Sequence, residues 1–186
     1  MADISRAEEE LNWAEQELEL MSKTSEENEI KRHWSNFLDH LSKFWKKSLA
    51  GCRGAKGFQA IESDVERQKK KDTVLRYLWH ARNADSHNTE TLTTWAMGSQ
   101  LAGEATIQHE DADGKIFYSK MPLYEFKYIV RAITDSNEIY TPPTYRNGKL
   151  LKNGNDPFVI GRLGLEFYQG VLERIKERVI DQESIR

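Results

Sequence analysis

The stretch Tyr77-Leu78-Trp79-His80-Ala81-Arg82-Asn83-Ala84-Asp85-Ser86-His87 closes the longest helix that the sequence predicts. The apolar residues Phe58, Ile61, Val65, Leu75 and Trp79 follow one face of an α-helix, although Gln68 and Asp72 are polar residues on the same stripe. Three residues beyond Trp79, the same face reaches Arg82. We therefore predict one helix over residues 58–86, with Arg82 at the edge of its buried face rather than in open solvent.

Two helices are predicted before this stretch and one after it. The apolar positions of the first two are Leu11, Ala14, Leu18 and Met21, followed by Ile30, Trp34, Phe37, Leu38, Leu41, Phe44 and Trp45. The second helix is expected to end near Gly51. In the last helix Asp156 is expected to be the N-cap, with Pro157 at the first helical position. We expect its glycines, Gly161, Gly164 and Gly170, to permit close helix contacts.

The sequence pattern changes from helical spacing to strand and turn signals between residues 103 and 153. Ala105-Thr106-Ile107 and Ile116-Phe117-Tyr118 flank Asp111-Ala112-Asp113-Gly114, a pattern typical of a β-hairpin. The segment 124–130 fits either a third strand or the start of a helix. We therefore predict a mainly α fold, in which residues 1–186 form a single helical-bundle domain. A small β-hairpin or sheet insertion with loops, residues 103–153, precedes the C-terminal helix.

Composition narrows the class of protein. The 186 residues include five tryptophans, which are rare in disordered chains. No apolar run approaches the roughly 20 residues that span a bilayer, and the acidic N-terminal segment is unlike a secretory signal or a transit peptide. Cys52 stands alone, which favours a reducing cytoplasm. Together with five scattered histidines it gives no paired ligand spacing, so we predict no metal and no cofactor.

Charge is unevenly distributed along the chain. Residues 1–29 carry ten acidic and two basic side chains, a balance of −8. Residues 30–83 carry thirteen basic and five acidic side chains, a balance of +8. Such a basic block suits a bound polyanion. It equally suits an acidic first helix that packs on basic neighbours, and the sequence alone does not separate the two.

Arg82 and His87 form the sequence's one convincing candidate for chemistry. Arginine is a permanent cation that binds phosphate, and histidine titrates near neutral pH. Five residues of α-helix rotate a side chain by about 140°, so the two cannot share one face of a regular helix. Either the helix ends or bends between them, or a second subunit completes the site.

The stretch from Tyr77 to His87 resembles the signature of the HEPN superfamily: an arginine, a polar residue, three variable positions and a histidine. The resemblance covers about residues 1–100 and the last helix. It implies a helical bundle that forms a homodimer with facing motifs, and it allows a regulatory protein partner. It also implies metal-independent cleavage of RNA, in which His87 is the general acid or base, Arg82 binds the scissile phosphate, and Asn83 contacts the phosphate or orients the histidine.

Two alternatives remain at the level of sequence. Arg82 could pair with Asp72 or Asp85 inside the bundle, and the chain would then be a non-catalytic nucleotide-binding or dimerisation module of the same fold. The basic run Lys69, Lys70 and Lys71 is a candidate substrate-binding patch for RNA, although such a run is also typical of a solvated helix face.

Overall fold

The computed structural model describes residues 2–87, 92–110 and 116–180. The helices are α1 (Ser5–Lys23), α2 (Glu27–Gly51), α3 (Phe58–Lys71), α4 (Thr73–His87) and α5 (Pro157–Ile175), which a π-helical segment, Lys176–Ile180, extends. The strands are β1 (Thr93–Glu110), β2 (Ile116–Val130), β3 (Ile133–Asp135), β4 (Glu138–Tyr140), β5 (Tyr145–Arg146) and β6 (Lys149–Leu150). The protein is therefore mainly helical, with small antiparallel strand pairs, as the sequence predicts.

The first two helices form an antiparallel hairpin. Every apolar residue that the sequence assigns to their stripes is buried, and α2 ends at Gly51 as expected. Trp34 stacks on Phe37 with ring centroids 5.4 Å apart, and both face the core. Burial of these large side chains, at about 1.5–3 kcal/mol each, is the main force that joins the two helices.

The predicted helix over residues 58–86 is in fact two helices, and Asp72 separates them. Its extended backbone (ψ 119°) ends α3, and its side chain then caps α4. Asp72 Oδ1 accepts hydrogen bonds from the backbone N–H groups of Val74 (2.8 Å) and Leu75 (3.2 Å). These are N–H groups that the first turn of a helix otherwise leaves without partners. The stripe is polar at Gln68 and Asp72 and becomes apolar again at Leu75, and the single-helix prediction ran through this gap.

The β-rich region begins earlier than predicted, at Thr93 rather than residue 103, and its first two strands are long. β1 and β2 pair antiparallel from Thr93↔Val130 to Glu110↔Ile116. The pairing of β1 with β2 is irregular between Met97 and Gly103. A strand with such an irregularity does not keep a regular alternation of polar and apolar residues, so the first part of β1 was not predicted. Residues 124–130, for which the sequence left strand or helix open, belong to β2. The predicted turn at 111–114 lies outside the described residues.

The short strands β3 and β5 lie beside α4. The Tyr77 hydroxyl donates to the backbone carbonyl of Arg131 (2.7 Å), and burial raises the pKa of this tyrosine. At the start of the helix, Arg146 Nε donates to Asp72 Oδ2 (2.8 Å). A tight turn with Ser136 and Asn137 at positive φ (52° and 66°) joins β3 to β4. This turn sets the position of Asp135, the residue before it.

The last helix begins as predicted, with Pro157 first and Asp156 Oδ1 accepting from the Phe158 N–H (2.8 Å). Two of its glycines lie at close contacts: a Cβ at Gly161 would be 2.8 Å from Leu18 Cδ1, and one at Gly164 would be 2.3 Å from Leu78 Cδ1. Gly170 has nothing within 4 Å of that position. Within the described residues, every helix is too short or too polar to cross a membrane.

Candidate functional site

One narrow strip of α4 remains open to solvent, and the candidate residues lie along its edges. Arg76, Trp79 and Ser86 are exposed and Asn83 is half-buried. At about 100° of rotation per residue, Arg82 and His80 fall on opposite edges of this strip. Arg82 lies toward α2, and His80 lies toward the β3–β4 hairpin.

Arg82 lies at the edge of the core, as the sequence predicts, and its partner is Asp39 of α2. Arg82 Nη2 is 3.4 Å from Asp39 Oδ1, with the arginine side chain 23% exposed and the aspartate 40% exposed. Lys43 holds the other oxygen of Asp39 more closely, at 2.7 Å. Burial raises the pKa of Asp39, but the hydrogen bonds and charges of Lys43 and Arg82 outweigh it and lower the pKa overall. A 3.4 Å contact at a partly exposed site contributes about 0–1 kcal/mol.

One N–H donor of the Arg82 guanidinium is not hydrogen-bonded within the described part of the chain. Its Nε is buried and has no hydrogen-bond partner among the described residues. A cavity of about 20 Å³ beside it is lined by Leu38, Leu41, Ser42, Leu75, Leu78, Trp79 and Tyr168. This volume fits about one water molecule. A nucleotide does not fit, so a phosphate would have to approach Arg82 from the open strip.

Asn83 and His80 meet at one carboxylate, Asp135. His80 Nδ1 is 2.7 Å from Asp135 Oδ2, and Asn83 Nδ2 donates to the same oxygen at 3.2 Å. The His80 ring stacks on Tyr140, with centroids 3.5 Å apart and planes 13° from parallel. Burial raises the pKa of Asp135, but hydrogen bonds from His80, Asn83 and Ser136 outweigh it and lower the pKa overall. The carboxylate therefore stays charged and aims the imidazole.

His87 is the last residue of α4, and its side chain lies outside what the structure describes. The backbone is helical without interruption from Arg82 to His87. α4 therefore continues past Arg82 to His87, where it ends, and about 140° of rotation separates the two positions around the helix.

Asp85 of the motif has a partner in a neighbouring helix. It accepts a hydrogen bond from the Ser35 hydroxyl of α2. The two ion pairs that the sequence allowed for Arg82 are not formed, since Asp72 binds Arg146 and Asp85 binds Ser35.

The three lysines of the predicted substrate-binding patch do not form one surface. Lys69 is only 8% exposed, because its ammonium group lies 2.9 Å from Glu66 and over the rings of Trp79 (4.6 Å) and Trp45 (5.1 Å). Burial lowers the pKa of Lys69, and Glu66 opposes that shift. Lys70 and Lys71 are exposed. Those two remain candidates for RNA contact, whereas Lys69 joins α3 to two tryptophans.

Part of the uneven charge distribution is explained by contacts between acidic side chains of α1 and basic side chains of α2. Glu10 of α1 contacts His40 Nδ1 (2.6 Å) and Lys47 Nζ (2.5 Å) of α2, and Glu17 contacts His33 Nδ1 (2.5 Å). An acidic first helix thus packs on a basic second helix, one of the two explanations that the sequence allowed. Of the cations in the basic block, Arg76 lies on the open strip of α4, and Arg82 lies at its edge, where it shares Asp39 with Lys43.

Sequence reasoning missed Asp39 and Asp135, and it assigned no role to His80, which lies about 160° around the helix from Arg82. His80 does face away, but it faces Asp135, which lies 55 residues later in the chain. The Asp135-Ser136-Asn137 run is a turn signal that could have placed a carboxylate at the end of a short strand. Nothing in the sequence around Asp39 marks it as a partner of Arg82. Across the described residues, no group of three or more His, Cys, Asp or Glu is arranged to hold a metal ion.

Comparison of the chain with protein-family models, curated proteins and solved structures gives no match. The similarity to the HEPN signature therefore depends on the motif and on the helical layout described above.

Proposed function

We propose that this protein is a HEPN-like homodimer that acts on RNA as a metal-independent endoribonuclease. In this proposal Arg82 binds the scissile phosphate, and His87 transfers a proton to or from the reacting oxygens. Asn83 contacts the phosphate or helps to position the acid–base groups. The attacking group is the ribose 2′-hydroxyl, so RNA is cleaved and DNA is not.

The observation that carries the proposal is the incomplete bonding of Arg82. Its guanidinium lies at the edge of an open helical strip, its side chain is 23% exposed, and it contacts Asp39 at only 3.4 Å. Asp39 is neutralised more closely by Lys43, at 2.7 Å. A phosphate that reached this edge would gain charge-assisted hydrogen bonds and would displace only a weak contact.

A dimer is part of the proposal because Arg82 and position 87 lie on different faces of one helix. Arg82 and His87 are about 140° apart around an unbroken helix. A two-fold axis beside the open strip of α4 would bring Arg82 of one subunit near His87 of the other. The active unit is then the dimer.

Purified protein incubated with total RNA in excess EDTA tests the activity. We expect products with 2′,3′-cyclic phosphate ends, which His87→Ala abolishes. Arg82→Ala should reduce the rate by about 10²–10³-fold, as expected when a donor to transition-state charge is removed. Arg162→Ala removes an exposed cation from α5 and should leave the rate unchanged. Equal degradation by wild type and both motif variants would indicate a contaminating nuclease and refute the proposal.

A second candidate function is favoured by one observation: both Arg82 and Asn83 already have carboxylate partners, Asp39 and Asp135. In this alternative the motif is a structural element of a non-catalytic dimerisation or nucleotide-binding module. Wild-type protein would then leave RNA intact, and Arg82→Ala would weaken the dimer in sedimentation velocity while Arg162→Ala would not. An unchanged dimer would count against the module.

A further inference from the structure

The His80–Asp135 pair has the geometry of an acid–base centre that the motif alone does not include. We propose that His80 is the general base of RNA cleavage and that Asp135 is the positioning residue that orients it. This inference rests on the proposed function and deepens it, because it assigns the proton acceptor that the reaction requires.

The first support is the orientation of the imidazole. Nδ1 of His80 is held by Asp135 at 2.7 Å, so the neutral ring carries its proton on Nδ1 and presents the lone pair of Nε2. Nε2 has no hydrogen-bond partner within the described part of the chain, and the His80 side chain is 19% exposed. A base whose opposite nitrogen is fixed by a carboxylate is the arrangement by which enzymes activate a hydroxyl.

The second support is rigidity. Tyr140 stacks on the His80 ring at 3.5 Å and limits its rotation. Asn83, the polar residue of the motif, donates to the same oxygen of Asp135. The motif is thus linked to the His80 pair by a direct contact. The hydroxyl of Tyr140 donates to Glu138 at 2.7 Å, which fixes the stacking partner in turn.

The third support is position. His80, Asn83 and position 87 are separated by three and four residues, so they lie along one side of α4. Seven residues of helix rise about 10 Å, so an RNA strand along this side of α4 would meet both histidine positions. In the proposed dimer, the Arg82 that binds the phosphate belongs to the second subunit.

The reaction is balanced without a metal or an oxidant. His80 Nε2 accepts the proton of the 2′-hydroxyl, and the 2′-oxygen forms a bond to phosphorus. The bond between phosphorus and the 5′-oxygen breaks, its electron pair remains on that oxygen, and His87 supplies the proton. The products are a 2′,3′-cyclic phosphate and a free 5′-hydroxyl.

The test compares His80→Gln and Asp135→Asn with a matched control, His40→Gln. His40 also binds a carboxylate through Nδ1 (2.6 Å, to Glu10), and its side chain is as exposed as that of His80, 19% in both. We expect His80→Gln to slow cleavage of total RNA in EDTA by about 10²–10⁴-fold. Asp135→Asn should cause a smaller loss, and His40→Gln none, with all three folded by circular dichroism.

Two further measurements separate a base from a structural support. The acidic limb of the rate profile between about pH 5 and about pH 9 should vanish in His80→Gln and persist in His40→Gln. The charged and titratable groups near His80 are Asp135, Glu138, Tyr140 and Arg76, and all are retained in that variant. With RNA whose scissile bond has a 5′-thio leaving group, which needs no protonation, His87→Ala should recover activity and His80→Gln should not.

The outcomes distinguish the two proposals. If wild-type protein leaves RNA intact, both the endoribonuclease function and the role of His80 are refuted. If wild type cleaves RNA and His80→Gln cleaves it at the same rate with the same pH profile, the role of His80 alone is refuted. Equal losses in His80→Gln and His40→Gln, with both profiles unchanged in shape, would make the pair a structural contact and would also refute the inference.

Discussion

Asp72 joins three segments of the chain through one buried carboxylate. One oxygen caps the first turn of α4, and the other accepts from Arg146 of β5. Replacing it with alanine removes a cap, about 1 kcal/mol, and a charge-assisted hydrogen bond, about 1.5–3 kcal/mol. We therefore expect Asp72→Ala to lower the free energy of unfolding by about 2–4 kcal/mol in urea titration.

Asp156→Ala is the matched control for this prediction. Asp156 caps α5 through one hydrogen bond, to the Phe158 N–H, and its side chain forms no ion pair with the described residues. Its replacement should cost only about 1 kcal/mol. If the two alanine variants are equally destabilised, the link to Arg146 adds nothing and the account of Asp72 is wrong.

The helix contact between α5 and α4 depends on the absence of a side chain at Gly164. A Cβ there would lie 2.3 Å from Leu78 Cδ1, so the buried leucine would have to move. Overpacking of this kind costs about 1–3 kcal/mol, and the better helix propensity of alanine returns up to about 1 kcal/mol. Gly164→Ala should therefore destabilise the fold by about 1–2 kcal/mol in urea titration.

Gly170→Ala on the same helix separates packing from propensity. Its Cβ would meet nothing within 4 Å, so only the propensity term applies. We expect this variant to be more stable than wild type by about 0.5–1 kcal/mol. A Gly164→Ala variant that is as stable as Gly170→Ala would show that Leu78 moves freely and that the contact is not tight.

The α1–α2 hairpin should be sensitive to acid through Glu10. Burial raises the pKa of this carboxyl, but hydrogen bonds and charges from Lys47 and His40 outweigh it and lower the pKa from its ordinary value of 4.5. Because the folded pKa is the lower one, the stabilisation is complete above about pH 4.5 and is lost as the pH falls through the folded pKa.

Unfolding of wild type and Glu10→Gln in urea, followed from about pH 6 to about pH 3, measures this contribution. Compared with wild type, the variant should be less stable at the highest pH of this range and should lose less stability as the pH falls. Other carboxylates with basic partners remain, so its slope should be reduced and not flat. Glu15→Gln, an exposed position on the same helix, should follow wild type. Parallel curves for wild type and Glu10→Gln would contradict the assignment.

These elements also show what a sequence pattern can and cannot predict. The apolar stripes of α1 and α2 could be predicted because each helix buries one face, so its apolar residues recur every three to four positions. The break at Asp72 could not, because the apolar residues of α3 and α4 lie on one helical stripe. The partners of the motif, Asp39 for Arg82 and Asp135 for His80, lie 43 and 55 residues away, and only the tertiary fold brings them together.

At the scale of the whole molecule, the proposed site requires two chains. Positions 82 and 87 are about 140° apart around α4, and in the proposed dimer the phosphate-binding arginine and the histidine that act on one RNA bond come from different subunits. An Arg82→Ala chain keeps its histidine, and a His87→Ala chain keeps its arginine. A dimer of one chain of each kind therefore contains one complete site and one that lacks both residues.

Mixing the two inactive variants tests this arrangement. After co-refolding of equal amounts, half of the dimers should be mixed, each with one working site of two, so about a quarter of wild-type cleavage activity should return. Sedimentation velocity before and after mixing confirms that the dimer is the species assayed. Refolding each variant with itself is the control and should restore nothing. If mixed dimers form and stay inactive while wild type cleaves RNA, Arg82 and His87 act within one chain, and α4 must then change its conformation between them when RNA binds.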